Sequence, residues 1–152
     1  MELAPRTASG YVRLAFDQML AVAGRLGDVD VNERPLGPGT NSVAGLLVHC
    51  CGVAEFWLGH VGLGRESQRD RAAEFSTTAT VAGLHERVDA TLRRIDDDLV
   101  ALQGGGTSAY AADRQDLTVA DGSDAALVLH LIEELFQHLG HCEMAADALA
   151  RR

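Results

Sequence analysis

Proline and aromatic residues are scarce in this chain of 152 residues, which contains three prolines, one tryptophan, two tyrosines and four phenylalanines. Strands are rich in aromatic and β-branched residues, whereas alanine and leucine, which are abundant here, favour helices. The composition therefore predicts an all-α protein. A hydrophobic share of 47 % is sufficient for a core, and we expect a single domain spanning residues 1–152.

The chain also lacks an excess of positive charge, since its formal net charge is −9. Phosphate backbones are bound by basic surfaces, so we expect no nucleic-acid partner. No apolar run approaches the roughly 20 residues that span a bilayer. The first residues do not combine a basic stretch with an apolar core, as an export signal does. We therefore expect neither a membrane partner nor export.

Cysteines are few and form no disulfide framework. Cys50 and Cys51 are adjacent, and Cys142 is far away in the sequence. An odd count without regular spacing indicates reduced thiols and a cytoplasmic protein. We interpret Cys50 and Cys142 as small core residues rather than nucleophiles.

Four segments have the hydrophobic spacing of helices, at about 6–26, 43–61, 80–102 and 125–150. Gly27 is expected to end the first, Asn41 or Ser42 to cap the second, and Ser123 or Asp124 to cap the last. The second helix reads as amphipathic, and segment 62–77 reads as an exposed connection. Together the segments predict a four-helix bundle with long crossover connections. The long loop 103–123 is expected to cross the bundle or cover a site, with Tyr110, Arg114 and Gln115 as polar contacts.

Glu134 and His138 are the most informative residues, because they are four positions apart on the last helix and so lie on one face. At about 100° per residue, His138 lies roughly 60° and Glu134 roughly 100° from the middle of the apolar stripe. Glu133 points almost directly away from it. On the second helix, His49 lies at the edge of the apolar stripe. An imidazole from another helix would complete a three-ligand site for a divalent cation with an open position.

Simpler interpretations of these residues remain open. A histidine at the edge of an apolar stripe is usually a hydrogen-bonded packing residue, and a Glu–His pair at this spacing often forms only a weak surface contact. Phe56 and Trp57 are interpreted as core residues. The remaining histidines are interpreted as surface or supporting groups, with His141 the best placed for a supporting role because its helix face is near that of Glu134: His60, His85, His130 and His141.

Two runs resemble signatures of the DinB/YfiT-like metalloenzymes. Gly-Thr-Asn-Ser-Val-Ala-Gly-Leu-Leu-Val-His49, followed by Val-Ala-Glu-Phe-Trp57, is similar to their second-helix signature. Leu-His-Leu-Ile-Glu-Glu134-Leu-Phe-Gln-His138-Leu-Gly-His141 is similar to that of their final helix. The resemblance covers nearly the whole chain and implies a bundle that binds one divalent metal, commonly zinc or nickel.

The commonest ligand set in that superfamily has a histidine in the place of Glu134. The mycothiol-dependent maleylpyruvate isomerases resemble this chain more closely, with a His, Glu, His set that corresponds to His49, Glu134 and His138. The isomerases have an additional C-terminal domain that has no counterpart in this sequence. The resemblance therefore disfavours maleylpyruvate isomerisation and favours the activity of the related mycothiol S-transferases.

The resemblance implies an enzyme that uses a divalent metal, zinc first and nickel or iron next, to activate mycothiol for attack on an electrophile. Metal-dependent hydrolysis is an alternative that would need no thiol. A non-enzymatic helical module is another, in which the metal is structural, with His141 or His60 as fourth ligand, or absent. Helix faces would also permit a homodimer.

Overall fold

The computed structural model describes residues 3–35, 37, 39–104 and 123–152. Within these ranges the chain contains no strand, which confirms the all-α prediction. Its helices are α1 (Pro5–Asp30), α2 (Val43–Ala54), α3 (Arg71–Ser76), α4 (Val81–Gln103) and α5 (Asp124–Leu149), and α2 continues directly as a π-helix over Glu55–Gly62. The pocket-covering role expected for Tyr110, Arg114 and Gln115 falls outside the described residues.

The long helices pack as a four-helix bundle, as the sequence predicts. Helix α1 lies against α4 and α5, and α2 lies against α4, α5 and the short α3. Fully buried side chains from α1, α2 and α5, among them Phe16, Leu47 and Leu135, share one core. Burial of each such side chain contributes about 1.5–3 kcal/mol, so the α2–α5 contact is firmly held.

Capping residues fix where the helices that carry the site begin. The Ser42 hydroxyl accepts a hydrogen bond from the backbone N–H of Gly45 at 3.0 Å, at the start of α2. The Ser123 hydroxyl accepts one from Ala126 at 3.1 Å, at the start of α5. Each satisfies a backbone donor that the first helical turn leaves without a partner. Both caps were among the predicted alternatives.

Helix α2 is the central helix of the bundle, because all of its residues are buried. The prediction of an amphipathic helix was therefore wrong: α1, α3, α4 and α5 all pack against it. With its π-helical continuation it spans Val43–Gly62, whose mean hydropathy of 1.3 and length would suffice to cross a membrane. The sequence-based exclusion of such a segment was too strict. In this fold 78 % of the apolar window is buried, as in a core helix.

Segment 62–77 is not merely an exposed connection. It contains α3, whose N-cap is Asp70. The side chain of Asp70 accepts a hydrogen bond from the backbone N–H of Ala73 at 3.0 Å. Glu74 of α3 points inward and is only 6 % exposed. A buried carboxylate needs partners that replace water, and these are found at the site.

Candidate metal centre

Helices α2 and α5 bring together the three residues that the sequence singles out. The candidate ligand atoms of His49, Glu134 and His138 all lie within 4.8 Å of one another. His138 Nε2 and Glu134 Oε2 are 3.5 Å apart, one helical turn along α5. The rings of His49 and His138 are perpendicular, with centroids 4.8 Å apart. Two imidazoles and one carboxylate therefore converge from separate helices.

His49 is held by a buried carboxylate that the sequence analysis missed. Its Nδ1 lies 2.8 Å from Glu74 Oε2, and both side chains are almost fully buried. A carboxylate accepts hydrogen bonds, so we assign the proton to Nδ1, which donates to Glu74. This tautomer leaves the Nε2 lone pair available for a metal. Such a carboxylate–histidine pair fixes the orientation and raises the basicity of a ligating imidazole.

Arg69 completes this arrangement by holding Glu74 through two hydrogen bonds. Its Nε donates to Oε1 at 2.7 Å and its terminal nitrogen donates to Oε2 at 2.9 Å. The same guanidinium lies over the ring of Phe56, 5.8 Å from the centroid. The ring of His49 also stacks on the ring of Phe75, with centroids 4.3 Å apart. The imidazole of His49 therefore has little freedom to rotate.

The environment favours neutral imidazoles and an ionised Glu74. Burial lowers the pKa of His49, against the opposing effect of its hydrogen bond to Glu74. Burial also lowers the pKa of His138, and the nearby His49 adds to the effect. For Glu74, burial would raise the pKa, but the hydrogen bonds from Arg69 and His49 outweigh it and the pKa is lowered. Neutral histidines are the form that binds metals.

A cavity of about 580 Å³ opens beside these residues. His49 and Glu134 lie in its wall with the apolar side chains of Val53, Phe56 and Trp57. Phe56 and Trp57 were interpreted as core residues; they pack against the core but also face the cavity. Its polar wall contains a hydroxyl, two guanidinium groups and two further imidazoles: Ser67, Arg69, Arg71, His60 and His130.

The donor set fits a zinc-like ion. A tetrahedral ion with bonds of about 2.1 Å separates its ligand atoms by about 3.4 Å. His138 Nε2 and Glu134 Oε2 are 3.5 Å apart, which is close to this value. The remaining distances, at most 4.8 Å, require a modest closure, for which the partly exposed Glu134 and His138 have room. Three nitrogen and oxygen donors with an open side are typical of catalytic rather than structural zinc sites.

The other histidines stand apart from this three-residue group. Neither His60 nor His141 belongs to it among the described residues. His141 Nδ1 lies 3.3 Å from His138 Nδ1, on the opposite side of that ring from the nitrogen facing Glu134. The supporting role expected for His141 is therefore directed at His138, one of the candidate ligands. His85 is exposed on α4.

Cys50 and Cys142 are core residues, as predicted, and so is Cys51. Cys50, Cys51 and Cys142 are free thiols, all buried. Burial raises the pKa of Cys50 well above its ordinary value and that of Cys142 to about 12. A thiol becomes a nucleophile by ionising, so burial suppresses the reactivity of the chain's own thiols.

The comparison with protein families found a match that spans the candidate centre. A family model described as mycothiol-S-transferase matches residues 7–149, which include every residue of the candidate centre. No curated protein and no solved structure matches the chain.

Proposed function

The chain belongs to the mycothiol-S-transferase family, in keeping with its DinB/YfiT-like bundle, and we propose that it is a divalent-metal-dependent enzyme that transfers mycothiol to small electrophiles. The observation that carries the proposal is the convergence of His49, Glu134 and His138, two of which, His49 and Glu134, line a cavity. These three residues would hold the metal, zinc first and nickel or iron as alternatives that suit the same donors.

A divalent metal bound there would supply Lewis acidity that lowers the pKa of a thiol. Two neutral imidazoles and one carboxylate leave such a centre with a net charge of +1, which favours an anionic sulfur. Glu74, which Arg69 holds in place, favours the assigned tautomer of His49 and fixes its orientation. The protein residues thus prepare the site before substrate enters, which reduces the cost of reorganisation.

The buried state of the three cysteines supports an external thiol as nucleophile. In the proposed reaction the cosubstrate thiol gives its proton to water, and its sulfur forms one new bond to the electrophilic carbon. The bond from that carbon to the leaving group breaks at the same centre, and the leaving group departs as an anion with the bonding electron pair. The aromatic wall of Phe56 and Trp57 suits the apolar body of an electrophile, while Ser67 and Arg71 suit the polar groups of the thiol. Neighbouring apolar and polar walls are typical of small-molecule sites.

The test is conjugation of mycothiol to a chromogenic electrophile by metal-loaded protein. We expect His138→Ala to reduce the rate by roughly 100-fold or more, a loss of the size that follows removal of a group that stabilises the reacting charge. His85→Ala is the matched control, because His85 is exposed on α4, and it should retain the wild-type rate. Equal rates for wild type and His138→Ala would reject metal-dependent transfer.

The same assay separates the alternatives. Turnover of an ester or amide without added thiol, lost in His138→Ala, would favour metal-dependent hydrolysis. Metal binding without turnover under either condition would favour a structural role. Homodimerisation through the helix faces stays a prediction, which sedimentation analysis of the purified chain can test.

A further inference from the structure

Helix α5 carries a second group of potential ligands, next to the first. Candidate ligand atoms of His130, Glu133 and Glu134 also lie within 4.8 Å of one another. Glu134 is common to both groups. We infer that the chain binds a second divalent cation at His130, Glu133 and Glu134, with the Glu134 carboxylate shared between the two cations.

The spacing along α5 explains why both groups form on one helix. His130, Glu133, Glu134 and His138 follow one another at intervals of three, one and four residues, so the first, third and fourth lie along one face. A carboxylate has two oxygens and can bind one cation through each. Glu134 lies between His130 and His138 in this row, where a bridging carboxylate would be required.

The distances in the second group match those in the first. His130 Nδ1 lies 3.5 Å from Glu133 Oε2, the same separation as between His138 and Glu134. Both values are close to the separation of about 3.4 Å between ligands of a tetrahedral zinc ion. Glu133 gives the second cation a carboxylate of its own besides the shared Glu134, which is favourable because two neighbouring divalent cations repel each other.

His130 is held in place, unlike an ordinary surface histidine. It is 18 % exposed, and its ring meets that of Trp57 edge to face, with centroids 4.7 Å apart. It lines the same cavity as Glu134. The second cation would therefore lie at the cavity wall beside the first, rather than on the outer surface of the bundle.

The second site is expected to be the weaker of the two. All three of its ligands come from α5, whereas His49 brings a ligand to the first site from α2. Glu133 is 60 % exposed and must be ordered on binding. His49 has the buried Glu74 as a partner, and loss of such a partner weakens metal binding by roughly 10–100-fold. A difference of that size would separate the two binding steps.

The test is a zinc titration of metal-free full-length protein, with bound zinc counted by elemental analysis after equilibrium dialysis. Wild type should bind two zinc ions per chain in two steps, and Glu133→Gln should lose the weaker one. His130→Ala should also lose the weaker zinc ion. The same loss in two different variants argues against a folding defect in either of them. Glu143→Gln is the matched control: it removes an exposed carboxylate of α5 outside both groups and should bind two.

A single zinc ion per wild-type chain at saturating zinc would overturn the inference, as would two-step binding retained in both Glu133→Gln and His130→Ala. His49→Ala distinguishes failure of the second site from failure of the proposed function. This variant should lose the tighter zinc-binding step and keep the weaker one. Tight binding unchanged in His49→Ala would reject the first ligand set and leave the second site standing.

Discussion

Glu74 reaches His49 beside position 52, which has no side chain. A Cβ atom on Gly52 would lie 2.0 Å from Glu74 Oε1 and 3.0 Å from Arg69 Nε. Contacts of 2.0 Å between such atoms do not occur, so one group would have to move. A glycine in the interior of α2 lowers its stability by about 1 kcal/mol in helix propensity. The missing side chain leaves room for the carboxylate that orients His49.

Gly52→Ala should therefore weaken metal binding without changing any proposed ligand. The new methyl group displaces Glu74, which frees the His49 ring and separates a buried ion pair. We expect a loss of roughly 10–100-fold in zinc affinity. The free energy of unfolding should fall by about 2–4 kcal/mol, the cost of a broken buried pair less the gain in helix propensity. Zinc titration and urea unfolding measure the two effects.

Gly24→Ala is the control, since Gly24 lies in α1 and a Cβ there meets nothing within 4 Å. It should leave zinc affinity unchanged and increase stability by up to about 1 kcal/mol. If Gly52→Ala behaves like Gly24→Ala, Glu74 does not depend on the space at position 52.

Two substitutions of Glu74 test its role, one that removes the hydrogen-bond acceptor and one that removes only the charge. Glu74→Ala leaves the buried Nδ1–H of His49 without an acceptor, which costs about 1–3 kcal/mol, and should lower zinc affinity by roughly 10–100-fold. Glu74→Gln keeps an acceptor but loses the charge, so its affinity should lie between those of Glu74→Ala and wild type. Glu66→Gln, an exposed site in the same segment, should match wild type. Equal affinities in all four proteins would show that His49 needs no orienting partner.

The four long helices and the shared face of Glu134 and His138 were predictable because they depend on local patterns. Hydrophobic spacing located the helices, and Ser42 and Ser123 have the side chains that cap a first turn. The spacing of Glu134 and His138 places them on one face whatever the surrounding fold. Their closeness to His49 required a particular pairing of α2 with α5, which the resemblance to a family supplied.

Glu74 was not predictable by the same means. Segment 62–77 is short and charged, and Glu74 follows Glu66, Asp70 and Arg71 without any period that would mark it as buried. Asp70, followed by Arg71 and then two alanines, is a signal for a short helix. Its direction, however, is set by contact with α2 and by the missing side chain at Gly52. These are tertiary properties, as is the burial of α2 on all sides.

The buried thiols lead to a prediction about reactivity. At pH 8 the native protein should react slowly with an aromatic disulfide reagent, because Cys50, Cys51 and Cys142 are buried and only thiolates react quickly. All three should react within minutes in concentrated urea, which serves as the internal control. The measurement is the absorbance of the released thiolate. One fast equivalent in the native protein would mean that the chain can supply its own nucleophile.

Cys142 should also make the protein sensitive to alkali. Burial raises the pKa of this thiol from 9.0 to about 12 in the folded state. Below pH 9 both states carry the proton, so the contribution of the thiol to stability is complete. As the pH rises from 9 towards 12, only the unfolded state loses the proton. The free energy of unfolding then falls by about 1.4 kcal/mol per pH unit, or about 4 kcal/mol in total.

Urea unfolding of wild type and Cys142→Ala between pH 8 and pH 11 isolates this effect from other groups that titrate in alkali. The variant should be less stable at pH 8, because it leaves a small cavity, but should lose stability less steeply above pH 9. Leu139→Ala removes a buried side chain of α5 that does not titrate, so its stability should run parallel to that of wild type at every pH. Parallel curves for Cys142→Ala as well would mean that the thiol ionises equally in both states, and hence that water reaches it inside the bundle.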